Sequence, residues 1–95
     1  MKKRRVVVTG LGIIAPNALG VADFEYALRN GVSGIRFIPR LEELKFGCQV
    51  GGIPENLDEI SRKYFSADSL LAMNESMRYA GIAAMDAWKD AGLDV

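Results

Sequence analysis

The C-terminal third of this sequence constrains most tightly what the chain can fold into. Ser66 suits a helix N-cap, Asp68 falls in the first turn, and Gly92 follows as a C-terminal stop. Between them Leu70, Met73, Met77, Ala80, Ala84, Ala87 and Ala91 recur three and four apart, which predicts one helix over 66–91 with an apolar stripe. Asn74, Glu75, Arg78, Asp86, Lys89 and Asp90 lie mostly on the opposite side, yet Leu71, Ile82 and Met85 fall among them. Such a helix needs partners on more than one side. From Ala67 to Ala91 it would rise about 37 Å. A compact chain of 95 residues has a radius of gyration of roughly 12 Å and is only about 32 Å across. So small a body cannot bury so long a helix, and the small residues Ala80, Gly81, Ala83, Ala84 and Ala87 invite a further layer or a second copy. Self-association through the 66–91 helix is therefore expected.

The remaining segments read as α/β. Val6 to Thr9 is a β-branched run between charges and glycines, as in a strand buried on both faces of a parallel or mixed sheet. Gly10 to Gly20 is a connection punctuated by Gly12, Pro16, Asn17 and Gly20. A helix over 21–30 has Asp23 and Glu25 early, Arg29 late, Gly31 as its stop, and Phe24, Ala27 and Leu28 as its buried stripe. Gly34 to Glu43 reads as irregular, with Pro39 a breaker, and 45–53 as an extended segment loosened by Gly47, Gly51 and Gly52. Pro54 to Ser61 is a turn with one short helical piece.

Composition narrows the chemistry. Twelve basic residues cancel twelve acidic ones, so neither nucleic acid nor a membrane surface is favoured as a partner. No apolar run approaches membrane-spanning length. Met1 to Arg5 before Val6-Val7-Val8 has the basic-then-apolar order of a secretory leader. Thr9, Gly10 and Gly12 interrupt that stretch, and no small-x-small cleavage site follows. With Cys48 the lone cysteine, no internal disulfide or cysteine-based zinc cluster can form, which suits a reducing, cytoplasmic setting. There is no histidine, hence no Ser-His or Cys-His nucleophile pair. No catalytic residue, cofactor site or metal site is expected in this chain. Cys48 itself reads as a buried structural thiol.

Gly10-Leu11-Gly12-Ile13-Ile14-Ala15 matches the dinucleotide fingerprint G-x-G-x-x-A. In such a site the second glycine opens a helix whose N-terminus holds the pyrophosphate. Pro16, Asn17 and Gly20 would break that helix within two turns. Asp23 and Glu25 come too early, and Glu42 too late, for the ribose contact. A nucleotide-binding domain is a distant third reading.

The whole segment Arg5-Val-Val-Val-Thr-Gly-Leu-Gly-Ile-Ile-Ala-Pro16 is more specific. It resembles the opening strand of elongating β-ketoacyl synthases, R-V-V-V-T-G-x-G-x-x-S/T/A-P. The resemblance continues through Asn17 to Gly20, Ala27 to Ile35, Ile60 to Lys63, Tyr79-Ala80 and Ala87 to Leu93. It is poorer from Phe37 to Leu57, and Tyr64 to Ala72 carries no further base where the family usually has one. Asn74 stands where an aspartate often follows the methionine.

That resemblance implies the N-terminal part of a thiolase-like fold, layered α-β-α-β-α, within a longer, homo-oligomeric protein. Its relatives load an acyl group on a cysteine, decarboxylate malonyl-acyl carrier protein and condense the two. Their cysteine and two histidines lie beyond the part of the family pattern present here, and Cys48 does not match that cysteine. Related synthases receive the acidic carrier protein on a basic patch, which makes Arg62 and Lys63 the candidate contact. A non-catalytic chain-length partner of the same family is the second reading. The 95-residue chain alone should show no condensing activity with acyl and malonyl carrier proteins; turnover abolished by Cys48→Ala would contradict this.

Overall fold

Short antiparallel hairpins and helices, rather than an extended sheet, make up the computed structural model, which describes residues 2–93. β1 (Ile14–Ala15) turns at Pro16-Asn17 and pairs with β2 (Ala18–Leu19), so that Ile14 faces Leu19. α1 (Val21–Asn30) ends where the chain enters the left-handed conformation at Gly31, φ 63°, and the Gly31 N–H caps the Ala27 carbonyl. β3 (Ile35–Phe37) leads into α2 (Pro39–Glu43), and β4 (Val50–Gly52) returns antiparallel to β3 with Arg36 opposite Gly51. Three helices follow: α3 (Leu57–Tyr64), α4 (Ala67–Leu71) and α5 (Glu75–Asp90).

The mixed α/β class stands, and α1 has the expected bounds. Within α1, Ala27 is buried and Phe24 half-buried, but Leu28 is exposed, so its packed face is narrower than the stripe suggests. Pro39 opens α2 instead of breaking the chain, because the first helical position needs no N–H donor. The extended segment expected over 45–53 narrows to three strand residues. Cys48 lies exposed just before that strand, its thiol 3.7 Å from the Val50 carbonyl oxygen, and is not the buried thiol expected.

The helix expected over 66–91 is two helices. Ser66 caps the first, its Oγ accepting from the Ser69 N–H at 3.2 Å. Asn74 caps the second, its Oδ1 accepting from the Met77 N–H at 2.9 Å. An asparagine side chain satisfies an orphan helical N–H better at a cap than in a helix interior, and here it restarts the helix. At 16 residues α5 rises about 24 Å, so length alone no longer demands a larger body. Its packed face also differs from the apolar stripe. Ile82 is fully buried, whereas Met77, Ala80 and Ala84 are exposed. Polar residues on the Ile82 side, Arg78 and Asp86, are themselves contacts to α3, which is why polarity misidentifies the inner face.

What seats the N-terminal half on α5 is the backbone of Gly10 and Gly12. A Cβ on Gly12 would overlap the Ala83 carbonyl oxygen and come 2.7 Å from the Ala87 nitrogen. One on Gly10 would strike the Ala87 carbonyl oxygen and sit 2.6 Å from the Ala91 nitrogen. Ala83, Ala87 and Ala91 form a small-residue column four apart, and the loop lies along it without side chains of its own at those two points. The Leu11 N–H donates to Asp90 Oδ2 at 2.9 Å and fixes the register.

Beyond this contact the chain departs from the helix. Residues 6–9 form no strand, and Val6, Val7 and Val8 are 93%, 67% and 80% exposed, contrary to the buried strand expected. A strand requires a partner, and neither of the two described two-stranded sheets, β1–β2 and β3–β4, takes this segment as a third strand. The buried apolar core is correspondingly small: Ala27, Ile38, Ile60 and Ile82. The radius of gyration is 16.8 Å, and the accessible surface is 7753 Å² where a compact chain of this mass exposes about 5,400 Å².

Gly12→Ala should therefore destabilise the fold by about 2 kcal/mol through overpacking. Gly47→Ala, where an added Cβ meets nothing within 4 Å, should change stability by less than about 0.5 kcal/mol. Urea unfolding midpoints of the two variants test this; equal midpoints would contradict the close seating of the loop.

Candidate functional site

α3 carries its charges in the order that a helix favours, Asp58 and Glu59 in the first turn and Arg62 and Lys63 in the last. Both bases are exposed, and neither forms an ion pair with another described residue. Consecutive helical residues diverge by about 100°, so Arg62 and Lys63 do not make one patch. Arg62 lines a cleft of about 420 Å³ with Asp58, Glu59, Glu75 and Tyr79, while Lys63 does not. Burial, and secondarily the Glu75 carboxylate, raise the Tyr79 phenol above its ordinary range. Arg62 thus shares this cleft with three carboxylates, one of which, Asp58, is bound by Arg78 Nη1 at 2.7 Å.

Two side-chain bridges hold α3 on α5. The Tyr64 hydroxyl donates to Asp86 Oδ1 at 2.6 Å, and Arg78 reaches Asp58 from the other helix. Hydrogen bonding to Asp86, then burial, then the Asp86 charge push the Tyr64 phenol up to about 12. Between the bridges Ser61 is fully buried, and its Oγ, like Arg78 Nε, has no hydrogen-bond partner among the described residues. Sequence reasoning missed these residues because the partners are 22 and 20 positions apart, beyond any helical spacing rule.

The glycines of the G-x-G-x-x-A segment have a packing role. They lie against α5, and the chain after them enters the β1–β2 hairpin and not a helix. Gly12 does not open a helix: the β1–β2 hairpin intervenes before α1 begins at Val21.

Comparison with known proteins then decides the lineage. The profile of the β-ketoacyl synthase N-terminal domain matches residues 3–95. The chain belongs to the β-ketoacyl synthase family. Among its relatives, 3-oxoacyl-[acyl-carrier-protein] synthase 2 of Coxiella burnetii is 33% identical over 95 residues, covering 100% of this chain and 22% of the relative. The protein of the same description from Vibrio cholerae is 34% identical, with the same two coverages. The tetracenomycin polyketide synthase ketoacyl synthase beta subunit of Streptomyces glaucescens is 37% identical over 89 residues, 94% of this chain and 21% of that protein. The chain thus spans about a fifth of the length of the curated relatives it matches. Among the described residues no helix is long and apolar enough to cross a membrane.

The Tyr64–Asp86 bridge gives a signed pH dependence. The folded chain holds the phenol proton more tightly than the unfolded chain, whose tyrosine titrates near its ordinary 10.0. The bridge therefore contributes fully below about pH 10 and is lost as pH rises toward 12. Tyr64→Phe should cost about 1 kcal/mol at neutral pH and should flatten the loss of stability above pH 10. Urea midpoints measured across that range, with Tyr79→Phe alongside, test it. An unchanged alkaline profile in Tyr64→Phe would contradict the bridge.

Proposed function

We propose that this chain is the N-terminal portion of a condensing enzyme, a β-ketoacyl synthase acting on acyl carrier protein thioesters in fatty acid or related synthesis. The observation that carries the reading is the family match running through residues 3–95, with relatives described as acyl-carrier-protein synthases. The whole protein would load an acyl group onto a cysteine as a thioester. Malonyl-carrier protein would lose carbon dioxide, and the resulting enolate carbon would attack the thioester carbonyl and expel the cysteine thiolate. The residues for those steps would come from outside this chain, since it contains no histidine and its single cysteine lies exposed beside β4. Its own contribution would be structural, one part of a thiolase-like layered fold in a homo-oligomeric protein. A cytoplasmic setting is the proposed one, supported by the lone Cys48, which allows no internal disulfide.

Acyl carrier protein is the proposed partner, and Arg62 and Lys63 its proposed contacts on this chain. Their exposure and lack of ion-pair partners among the described residues support the reading, since charges at an interface rim act chiefly on encounter. Lys63 is the better placed of the two, because Arg62 shares its cleft with Asp58, Glu59 and Glu75. The second reading is a non-catalytic chain-length partner that keeps the fold; a protein described as a ketoacyl synthase beta subunit is among the relatives, at 37% identity.

In the whole protein, Lys63→Glu should lower kcat/KM for the carrier-bound substrate by about tenfold at low salt, and the difference should shrink as salt is added. Arg62→Glu should have the smaller effect. Rates unchanged by both substitutions would overturn the contact. Reading the frame for a cysteine among small residues and two histidines, and assaying the product for condensation, separates enzyme from chain-length partner. A whole protein that has those residues and yet does not condense would overturn the enzymatic reading.

A further inference from the structure

The apolar period of residues 70–87 runs unbroken across 72–74, yet the chain bends there into α4 and α5. Packing of α4 does not account for the bend, since none of its residues is buried. The contacts at the end of α3 do. Phe65, which ends α3, lays its ring on Gly81 so closely that a Cβ there would come 2.6 Å from the ring edge. One residue earlier, the Tyr64 hydroxyl donates to Asp86 Oδ1 at 2.6 Å. Neither contact is compatible with one straight helix over 67–90. In such a helix Ala67 would stand about 21 Å from Gly81 and about 28 Å from Asp86 along the axis. The backbone from Tyr64 to Ala67 reaches about 11 Å at most, and the side chains do not close the remainder. Bend and contacts therefore exclude the straight form. The break also leaves donors idle. Among the described residues the N–H groups of Asn74, Glu75 and Ser76 have no backbone partner. In a straight helix they would bond the Leu70, Leu71 and Ala72 carbonyls. Gly81 carries a further cost, because glycine is disfavoured inside a helix, and it gives Phe65 its seat.

We propose that α4 and α5 form a two-state joint, held bent by Tyr64 on Asp86 and Phe65 on Gly81, that straightens into one helix over 67–90 when α3 lifts away. Ser66 serves as the N-cap in both states. Straightening puts Leu70, Met73, Met77, Ala80 and Ala84 on one continuous face and gives the three idle N–H groups their carbonyls. It gives up the Asn74 cap and both latch contacts. A bistable element is biased by whatever contacts differ between its states. Here those contacts lie together at the end of α3, so lifting that helix releases both at once. The joint is built from contacts within the chain and is independent of what the whole protein catalyses.

Two variants open the latch. Tyr64→Phe combined with Phe65→Ala removes both contacts, whereas Gly81→Ala evicts the ring and favours the helix. In each, amide exchange at Asn74, Glu75 and Ser76 should slow by about tenfold as these groups gain partners, an effect that fraying of α4 would not produce. Spin labels on Asp68→Cys and Lys89→Cys, in a Cys48→Ser background, read the geometry at exposed positions. A straight helix sets those two Cα atoms about 32 Å apart, and the parent chain should show only a shorter separation. Glu75→Pro supplies the converse. Proline suits the first position of α5, preceded by Asn74 at φ −86° and ψ 176°, and would break a helix running through it. It should leave the parent separation unchanged and abolish the long one in the open variants. A long separation in the parent chain, or one that survives Glu75→Pro, would overturn the proposal. So would rapid exchange at Asn74, Glu75 and Ser76 in both open variants. Unfolding of both would overturn it as well, because the latch would then hold the whole fold and not the bend.

Discussion

Everything N-terminal to α1 is positioned by one steric condition, the absence of side chains where the 10–12 backbone crosses the Ala83, Ala87 and Ala91 column. The contact is close enough that a single methyl group at Gly12 would collide with main-chain atoms of α5, which cannot swing aside as a side chain could. Two consequences follow from this. The β1–β2 hairpin begins within two residues of the seat, and α1 follows directly, so the approach to α5 sets where the hairpin starts. The same approach also aims residues 2–9 away from the body, because the loop runs off the end of α5.

The second constraint is polar. α3 is held to α5 by Tyr64–Asp86 and Asp58–Arg78, not by apolar interlock alone, and the buried apolar residues are few. A small domain depends disproportionately on such contacts because its surface-to-volume ratio limits what burial can supply. Hydrogen bonds that involve a charged group contribute more than neutral ones, and they also fix which face of α5 is inward. That choice leaves Met77, Ala80 and Ala84 outward. The apolar stripe read from the sequence is only partly packed: Ala87 and Ala91 receive the 10–12 loop, whereas Met77, Ala80 and Ala84 face outward.

The sequence was most legible where local chemistry decides. α1, with its Gly31 cap, lies where end signals place it, and Ser66 caps a helix as its type suggests. The family resemblance was legible from the Arg5 to Pro16 run and its continuation, and the match through residues 3–95 supports it. Legibility failed where the outcome depends on what stands alongside. Val6 to Thr9 has every local property of a buried strand, yet strand formation is a property of a pair, and no described strand pairs with it. Asn74 shows the complementary failure: the periodicity runs straight through it, while its side chain begins a new helix. Arg62 and Lys63 are adjacent in sequence, but only the folded chain reveals that Arg62 shares a cleft with carboxylates and Lys63 does not.

The G-x-G-x-x-A segment shows why a short motif needs its structural context. Glycines permit close approach of a backbone to something, and the motif alone does not say to what. In a nucleotide site that something is a pyrophosphate, held at the opening of the helix that the second glycine begins. Here it is the alanine column of α5, and the chain proceeds into a hairpin. The discriminating information lies outside the motif, in Pro16 and Asn17 on one side and in Ala83, Ala87 and Ala91 some seventy residues away on the other. A glycine pair paired with a distant alanine column spaced by four is therefore a signal for loop-on-helix packing. Its physical content is mutual: large residues in either partner would separate the two, so the small residues on α5 and the glycines ahead of β1 belong to one contact.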